Sequence, residues 1–248
     1  MPILPQQPSS VTEILSASFK LYAESFTKLI GYSLLVFALN RLLAVFVNDA
    51  MPVVDATLDP EEQMTAMMQV LPSMLGITFI AILFSCLFYS AMIYRIDNVV
   101  NKRQDDFVAV LLSAVKKFPI IIAAGILYTI AITIGSILLV IPGIILMISL
   151  AFCGYFILLE NMGSYESLMA SHRLVWGDWW RTNIVFFVPT FILFIFFIIA
   201  FFSGISGTTA EPSNALDIIS DLLGAVISPY FYVIGYLQYH DLKLRKNM

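Results

Sequence analysis

The sequence predicts an all-α integral membrane protein with six transmembrane helices in three hairpins, each preceded by an amphipathic helix at the cytoplasmic surface. Of its 248 residues, 60% are hydrophobic and only 12% are charged, whereas soluble domains are about a quarter charged. The uncharged residues 118–159 would form a helix about twice as long as the hydrocarbon layer is thick. Acidic loops without any base alternate with loops that carry the bases. Together these observations indicate one polytopic domain over residues 1–248.

The N-terminal segment predicts a helix on the membrane surface. Residues 1–10 lack Lys, Arg and a sustained apolar core, so we expect a short, retained, flexible segment and not a signal peptide. Ser10 and Glu13 have the spacing of a capping box, which predicts a helix start. Apolar residues then recur at helical spacing among charged ones, as is typical of a helix in the headgroup plane. They are Val11, Leu15, Phe19, Tyr22 and Phe26.

The first span, residues 29–47, contains Asn40 and Arg41. An arginine near the middle of a span costs about 2.5–3.5 kcal/mol on insertion scales. Arg41 is about 9 Å along the helix from the polar end at Asn48 and Asp49, which a snorkelling side chain reaches. Alternatively, Asn40 and Arg41 face inward as functional residues. The sequence leaves both interpretations open.

The second predicted span, residues 74–94, follows an acidic loop at 48–63 and a short amphipathic lead-in at 64–70. A basic segment follows at 95–117, and its second half, 105–117, predicts another interfacial helix. Asp105 and Asp106 stand at the start of that helix, where carboxylates cap free N–H groups. Because bases flank them, we favour this role over a metal site or an acid–base pair.

Pro142 and Gly143 predict the reversal between span three, residues 118–139, and span four, residues 144–159. Proline suits the first turn of a new helix, and glycine accepts the positive φ of a tight turn. The alternative is one long buried helix with a kink at the proline. The length of the uncharged stretch favours the reversal.

A third amphipathic segment, residues 161–183, holds the predicted interfacial anchors. Tryptophan suits the membrane–water boundary because its ring has an apolar body and a polar N–H group. Such clusters also bind aromatic ligands or nucleic acid, but a net-acidic chain without a wider basic patch disfavours that function. The anchors are Arg173, Trp176, Trp179, Trp180 and Arg181.

The last hairpin comprises span five, residues 184–202, an acidic loop at 203–221 and span six, residues 222–239. With both termini in the cytoplasm, every Lys and Arg except Arg41 falls on the cytoplasmic side. Loop Lys and Arg set membrane orientation, so the distribution predicts six spans with both ends inside.

The same plan, an interfacial helix followed by a hairpin, recurs in residues 10–98, 104–160 and 164–242. Residues 13–21 align without gaps on residues 166–174, with Glu, Leu, Ala, Ser, a base and Leu in register. The middle unit matches only in layout. A true repeat and convergence of amphipathic helices both explain the match. The copies would run in the same direction, unlike the inverted repeats of many transporters.

One stretch resembles a known family. It contains Ile-Pro-Gly-Ile-Ile at residues 141–145, an apolar run ending at Glu160, Met162-Gly163, and Ser-His-Arg-Leu-Val-Trp at residues 171–176. These motifs, within residues 118–190, resemble the YciC-like family of uncharacterised inner-membrane proteins of Gram-negative bacteria. They are also similar to the membrane domain attached to some glycerophosphodiester phosphodiesterases, whose soluble domain is absent here. The resemblance implies a multi-pass inner-membrane protein of undetermined function and provides no catalytic residues.

The residue types predict a function without catalysis. His172 and His240 have no metal-ligand spacing with another His, Cys or carboxylate, and no phosphate-binding glycine loop occurs. We expect no enzymatic activity, no cofactor, no metal and no nucleic-acid partner. Membrane lipids and other membrane proteins are the expected partners, through which the chain would support envelope organisation. The alternative is a transporter or lipid translocator that uses Arg41 in a membrane cavity.

Overall fold

The computed structural model describes residues 4–50, 59–103, 106–202 and 214–247, and every regular element within them is an α-helix. The all-α prediction is therefore confirmed for these residues. The helices are α1 (Val11–Ala50), α2 (Pro60–Val100), α3 (Phe107–Leu138), α4 (Val140–Ser149), α5 (Cys153–Glu160), α6 (Ser164–Val175), α7 (Trp179–Phe202) and α8 (Asn214–Lys246).

Several helical segments are long and apolar enough to cross a bilayer. Within the described residues they are Val11–Leu43, Glu61–Val100, Phe107–Leu138 and Val140–Glu160, and Trp179–Ile195 is a shorter apolar helix. The predicted acidic loops lie partly outside the described residues, at 51–58 and 203–213, and so does Asp105. Where the structure describes them, these loops are shorter than predicted, because α2 begins at Pro60 and α8 at Asn214.

The first two predicted interfacial helices are not separate elements. Helix α1 is continuous over 40 residues, about 60 Å, so the amphipathic segment and the first span form one helix. Helix α3 likewise runs on from the second amphipathic segment through Pro119. Only the third, α6, is a separate helix, and Gly177 follows it with a φ of +91°, a value that glycine adopts without strain.

Both predicted N-caps are confirmed where the structure describes them. The Ser10 N–H donates to Glu13 Oε2 (2.7 Å), and the Glu13 N–H donates to Ser10 Oγ (3.2 Å), which is the capping box. Asp106 caps α3 by accepting from the Val108 N–H (3.1 Å). These contacts form at the two positions where the sequence predicts that a helix starts.

The reversal between α3 and α4 is at Leu139, not at Pro142 and Gly143 as predicted. Leu139 is extended, with φ −162° and ψ 144°, and both predicted turn residues lie inside α4. Gly143 does not have a positive φ. Instead its bare Cα lets α4 approach α3, because an added Cβ would clash with Ser136 Oγ and come within 3.0 Å of Ser136 Cα. The glycine is required for close packing.

The fourth predicted span is also not one helix. It divides into α4 and α5 at residues 150–152, and α4 alone, with 10 residues, extends only about 15 Å. Ser171 of α6 bridges the gap: its hydroxyl accepts from the Phe152 N–H (3.0 Å) and donates to the Ser149 carbonyl (2.8 Å). A buried serine therefore satisfies backbone groups that the break leaves without helical partners.

The core centres on the C-terminal half of α8. From Val233 to Leu242 this helix is almost entirely buried, and the buried residues include Gln238 and Asp241. Most of α2 before Phe88 is exposed, as is the Ile137–Ile141 tip of the α3–α4 pair. The molecule is thus tightly packed around one end of α8.

The first helix of each predicted unit packs on the last helix of the unit before it: α3 on α2, α6 on α5, and α1 on α8. Aligned positions of units one and three are also buried alike. The pairs are Ile14 with Ser167, Ser18 with Ser171, Leu21 with Leu174, Leu29 with Thr182, and Tyr32 with Val185. The Gly163 N–H donates to Glu166 Oε2 (3.4 Å), as Ser10 does to Glu13. Other aligned pairs differ in burial, such as Ser25 with Asp178, and the repeat stays a prediction.

Candidate functional site

Polar side chains converge on the last turns of α8, where three carboxylates from different parts of the chain meet bases or tyrosines. The carboxylates are Asp97 at the end of α2, Glu160 at the end of α5, and Asp241 on α8 itself. Each belongs to the last helix of one predicted unit. We describe them in turn and then the cleft between two of them.

Asp241 is completely buried and holds two arginines. Its Oδ2 accepts from Arg181 (2.9 Å) and from Arg245 (2.7 Å), and its Oδ1 accepts from the Ser9 N–H (2.6 Å). Both arginines also donate to the Ser9 carbonyl. The buried charge is thus paired and hydrogen-bonded on both oxygens, as a charge out of water requires. Ser9, in a segment expected to be flexible, is therefore held against the bundle.

Asp97 joins the end of α2 to α8. Its Oδ2 pairs with Arg103 (2.7 Å), and its Oδ1 accepts from the Tyr236 hydroxyl (2.7 Å) and from Asn101 Nδ2 (2.8 Å). The Asp97 side chain is 14% exposed, whereas that of Arg103 is 62% exposed. The base is therefore open to solvent while its carboxylate is held in place.

Glu160 joins the end of α5 to α8. Its Oε1 accepts from Lys243 Nζ (2.7 Å) and from the Tyr239 hydroxyl. Both bonds use the same oxygen, and Oε2 accepts no hydrogen bond from the described residues. Glu160 thus keeps one carboxylate oxygen unused.

A cleft of about 490 Å³ lies between the Asp97 and Glu160 clusters. Its walls come from α2, α3, α5 and α8 and carry charges of both signs. They comprise Tyr94, Asp97, Arg103, Ser113, Leu158, Leu159, Glu160, Asn161, Tyr239, His240 and Lys243. We call this set the cytoplasmic cleft, after the predicted side of its bases.

His240 is neutral in the cleft wall. It lies just past the end of the sixth predicted span, and its ring packs in tilted and edge-on contacts against Tyr236 and Tyr239. Burial lowers its pKa from 6.5 to about 4, because the charged imidazolium loses hydration there. Its Nε2 is buried without a hydrogen-bond partner among the described residues. With His240 neutral, the cleft's two acids and two bases balance.

The predicted anchors differ in their surroundings. Trp176 and Trp180 are 64% and 74% exposed, and Arg173 is exposed as well, as residues at a membrane boundary would be. Trp179 is half-buried and donates to the Ile145 carbonyl of α4 (3.3 Å). Arg181 is not an exposed anchor, because it is only 17% exposed and binds Asp241.

Asn40 and Arg41 lie on α1, outside the cytoplasmic cleft. Asn40 is exposed, and Arg41 is half-buried and is not without a partner. The structure therefore does not bring these two residues together with the three carboxylates.

The sequence interpretation missed the three carboxylate clusters. Asp97 lies in the predicted basic segment 95–117, and Asp241 follows the sixth predicted span. One signal was present in the sequence: an acid follows the last apolar stretch of every predicted unit. In the structure each of these acids lies five residues after a buried side chain, which is Met92, Tyr155 or Tyr236.

The family model described as Uncharacterised protein family (UPF0259) matches residues 48–239, more than half of the chain. The matched region contains most of the cytoplasmic cleft, from Tyr94 to Tyr239. No curated protein and no solved structure matches the chain.

Proposed function

The chain belongs to the uncharacterised protein family UPF0259, and we propose that it is a multi-pass protein of the bacterial inner membrane, of the YciC-like kind. In this proposal it crosses the membrane six times in three hairpins, with both termini in the cytoplasm. It has no enzymatic activity and supports envelope organisation through lipids or partner proteins.

The meeting of the two chain ends supports this topology most directly. The Ser9 N–H binds Asp241, and the Ser9 carbonyl accepts from Arg245 at 2.6 Å. A chain whose ends lie at one face crosses the bilayer an even number of times. Asp97 and Glu160 also bind α8 near this end. Each stretch of chain between these residues therefore leaves this face of the bilayer and comes back to it. Three excursions of this kind are what three hairpins require.

Labelling of single cysteines in intact and lysed cells tests the topology. We expect a membrane-impermeant maleimide to label Gly207→Cys in intact cells, and Lys102→Cys and Lys246→Cys only after lysis. A variant without the native Cys86 and Cys153 is the background. Labelling of Lys102→Cys and Gly207→Cys from the same side would contradict the proposal.

The paired state of the carboxylates supports a non-enzymatic role. Asp97, Glu160 and Asp241 each hold a base within 2.9 Å, an arrangement that suits joining helices. A strain that lacks the protein should then show altered sensitivity to envelope stress without losing any lipid species. Loss of one lipid species, restored by pure protein acting on its precursor, would instead establish an enzyme.

A transporter or lipid translocator is the second candidate, and Arg41 favours it. Arg41 is half-buried inside the candidate span Val11–Leu43, where an ionised side chain marks functional positions by default. In this alternative Arg41→Leu abolishes rescue of the deletion strain while expression survives, and Lys20→Leu, at an exposed position, does not. Full rescue by Arg41→Leu would show that the Arg41 side chain has no transport role and reaches the membrane surface by snorkelling.

A further inference from the structure

The cytoplasmic cleft contains donors that the protein does not use. Arg103 binds Asp97 only through Nη1, so its Nε and Nη2 groups make no hydrogen bond within the described residues. The hydroxyl of Tyr94 likewise has no partner among these residues. An exposed guanidinium with two available N–H groups matches the paired oxygens of a phosphate or phosphodiester.

The cleft also contains an unused acceptor. Glu160 takes both of its hydrogen bonds on Oε1 and leaves Oε2 for a donor from outside the described chain. A primary ammonium group donates charge-assisted hydrogen bonds to a carboxylate, whereas a quaternary ammonium has no N–H to donate. The position therefore distinguishes between these two kinds of cation.

The charge balance of the cleft selects the net charge of its ligand. Asp97 and Glu160 offset Arg103 and Lys243, and His240 adds no charge while it is neutral. A ligand with a net negative charge would find a carboxylate beside each base, and like charges repel. A zwitterion places its phosphate and its ammonium against opposite charges without changing the balance.

The α3 segment that contributes Ser113 to the cleft also carries exposed apolar side chains on another side of the helix. Among them, Leu112 and Val115 are 58% and 50% exposed. This amphipathic segment is the one that the sequence placed at the membrane surface. Acyl chains would lie against its apolar side chains while the headgroup reaches the cleft.

From these observations we propose that the cytoplasmic cleft binds the headgroup of a zwitterionic phospholipid with a primary ammonium group, of the phosphatidylethanolamine class. The phosphodiester binds Arg103, and the ammonium binds Glu160. This inference rests on the proposed function, since it requires the cleft to lie at a membrane surface, and it names the lipid class involved.

Native mass spectrometry of the full-length protein in non-ionic detergent tests the proposal. The titrants are phosphatidylethanolamine, phosphatidylcholine and phosphatidylglycerol with identical acyl chains. We expect phosphatidylethanolamine to bind about tenfold more tightly than either of the others. The other two lipids lack the charge-assisted hydrogen bond to Glu160, and the loss of one such bond weakens binding by about this factor. Glu160→Gln should remove the preference for phosphatidylethanolamine, whereas Arg103→Gln should weaken the binding of all three lipids, because each of them carries the phosphodiester. Lys20→Gln, at an exposed position on another helix, should change neither the preference nor the affinity.

Several outcomes would overturn the proposal. They are equal binding of the three lipids, preference for phosphatidylglycerol, unchanged preference in Glu160→Gln, and unchanged affinity in Arg103→Gln. Competition by soluble glycerophosphoethanolamine at the concentration of the lipid would show that a free phosphodiester, and not a membrane lipid, is the ligand. Helicity and cysteine labelling of the same variants report on the membrane fold separately, so a failed headgroup site with intact topology leaves the proposed function standing.

Discussion

Gly143 sets the distance between α3 and α4. Its Cα packs on Ser136, and Gly135 lies opposite, where an added Cβ would meet the Gly143 backbone at 3.2 Å. Small residues at such positions let two helices approach closely, which is a main source of association within a membrane. Gly143 was predicted to form a turn with a positive φ. That prediction was wrong, because the turn is at Leu139.

Gly143→Ala should therefore separate the two helices and destabilise the protein by about 1–3 kcal/mol, the usual cost of overpacking. Gly125→Ala on α3 is the matched control, because nothing lies within 4 Å of its added Cβ. That control should be neutral or gain up to about 1 kcal/mol from helix propensity. Unfolding of both variants in mixed micelles measures the difference, and equal midpoints would contradict the packing role.

His240 predicts a pH dependence of stability. Its pKa in the folded protein is about 4, below the ordinary value of 6.5. Between these two pH values the imidazole is protonated in the unfolded chain and neutral in the folded one. Unfolding therefore binds a proton between pH 6.5 and 4, and stability falls as the pH is lowered through this range. His240→Gln should show a shallower loss of stability over the same range. An identical slope in the variant and the parent would assign the acid sensitivity to other groups.

At the scale of the helix, the break between α4 and α5 depends on a side chain from α6. Ser171 binds the backbone on both sides of the break, and Trp179, just beyond α6, binds Ile145 before it. Helix α6 is therefore a packed part of the bundle as well as an amphipathic segment. Its exposed residues include Arg173 and, at its C-cap, Trp176, two of the predicted interfacial anchors.

Removal of the Ser171 hydroxyl should leave the Phe152 N–H and the Ser149 carbonyl without a partner. Ser171→Ala is expected to cost about 1–3 kcal/mol for the buried groups left unsatisfied. Ser113→Ala is the control, since that exposed hydroxyl only donates back to Ala109 in its own helix (2.8 Å). If thermal unfolding of the two variants coincides, a water or a shifted backbone replaces the serine.

Local patterns predicted the helical class, the apolar segments and the caps at Ser10 and Asp106, because each of these depends on neighbouring residues. They did not predict that α1 is one helix. The change from an amphipathic to an apolar segment suggested two elements, although no proline interrupts the helix. Local patterns also could not predict which residues pair with each other in the candidate site. Asp97 meets Tyr236 across 139 positions and Glu160 meets Lys243 across 83, and only the packed fold brings them together.

At the scale of the whole molecule, Asp241 ties the start of the chain to its end. It joins Ser9, Arg181 and Arg245, which belong to the N-terminal segment, α7 and α8. The packing of α1 on α8 completes the same cyclic order that α3 on α2 and α6 on α5 follow. The same order of packing is expected if the units in residues 10–98, 104–160 and 164–242 are repeats, which stays a prediction.

Asp241→Asn should destabilise the whole bundle by about 3–5 kcal/mol, because two arginines would remain partly buried without their counter-charge. Glu24→Gln is the control. It removes a carboxylate from an exposed pair with Lys20, and such pairs contribute at most about 1 kcal/mol. Chemical unfolding followed by helicity measures both. A loss in Asp241→Asn no larger than that of the control would show that the Ser9 contact alone closes the bundle.

The central position of α8 affects how the protein is made. A ribosome synthesises α8 after every other helix, yet the residues from Val233 to Leu242 occupy the middle of the packed end. The earlier helices enter the lipid before the element that joins Asp97, Glu160 and Arg181 exists. Assembly is therefore completed only after α8 has been synthesised, and a chain truncated before Tyr232 would lack the helix on which the other helices pack, which would make it a substrate for proteases.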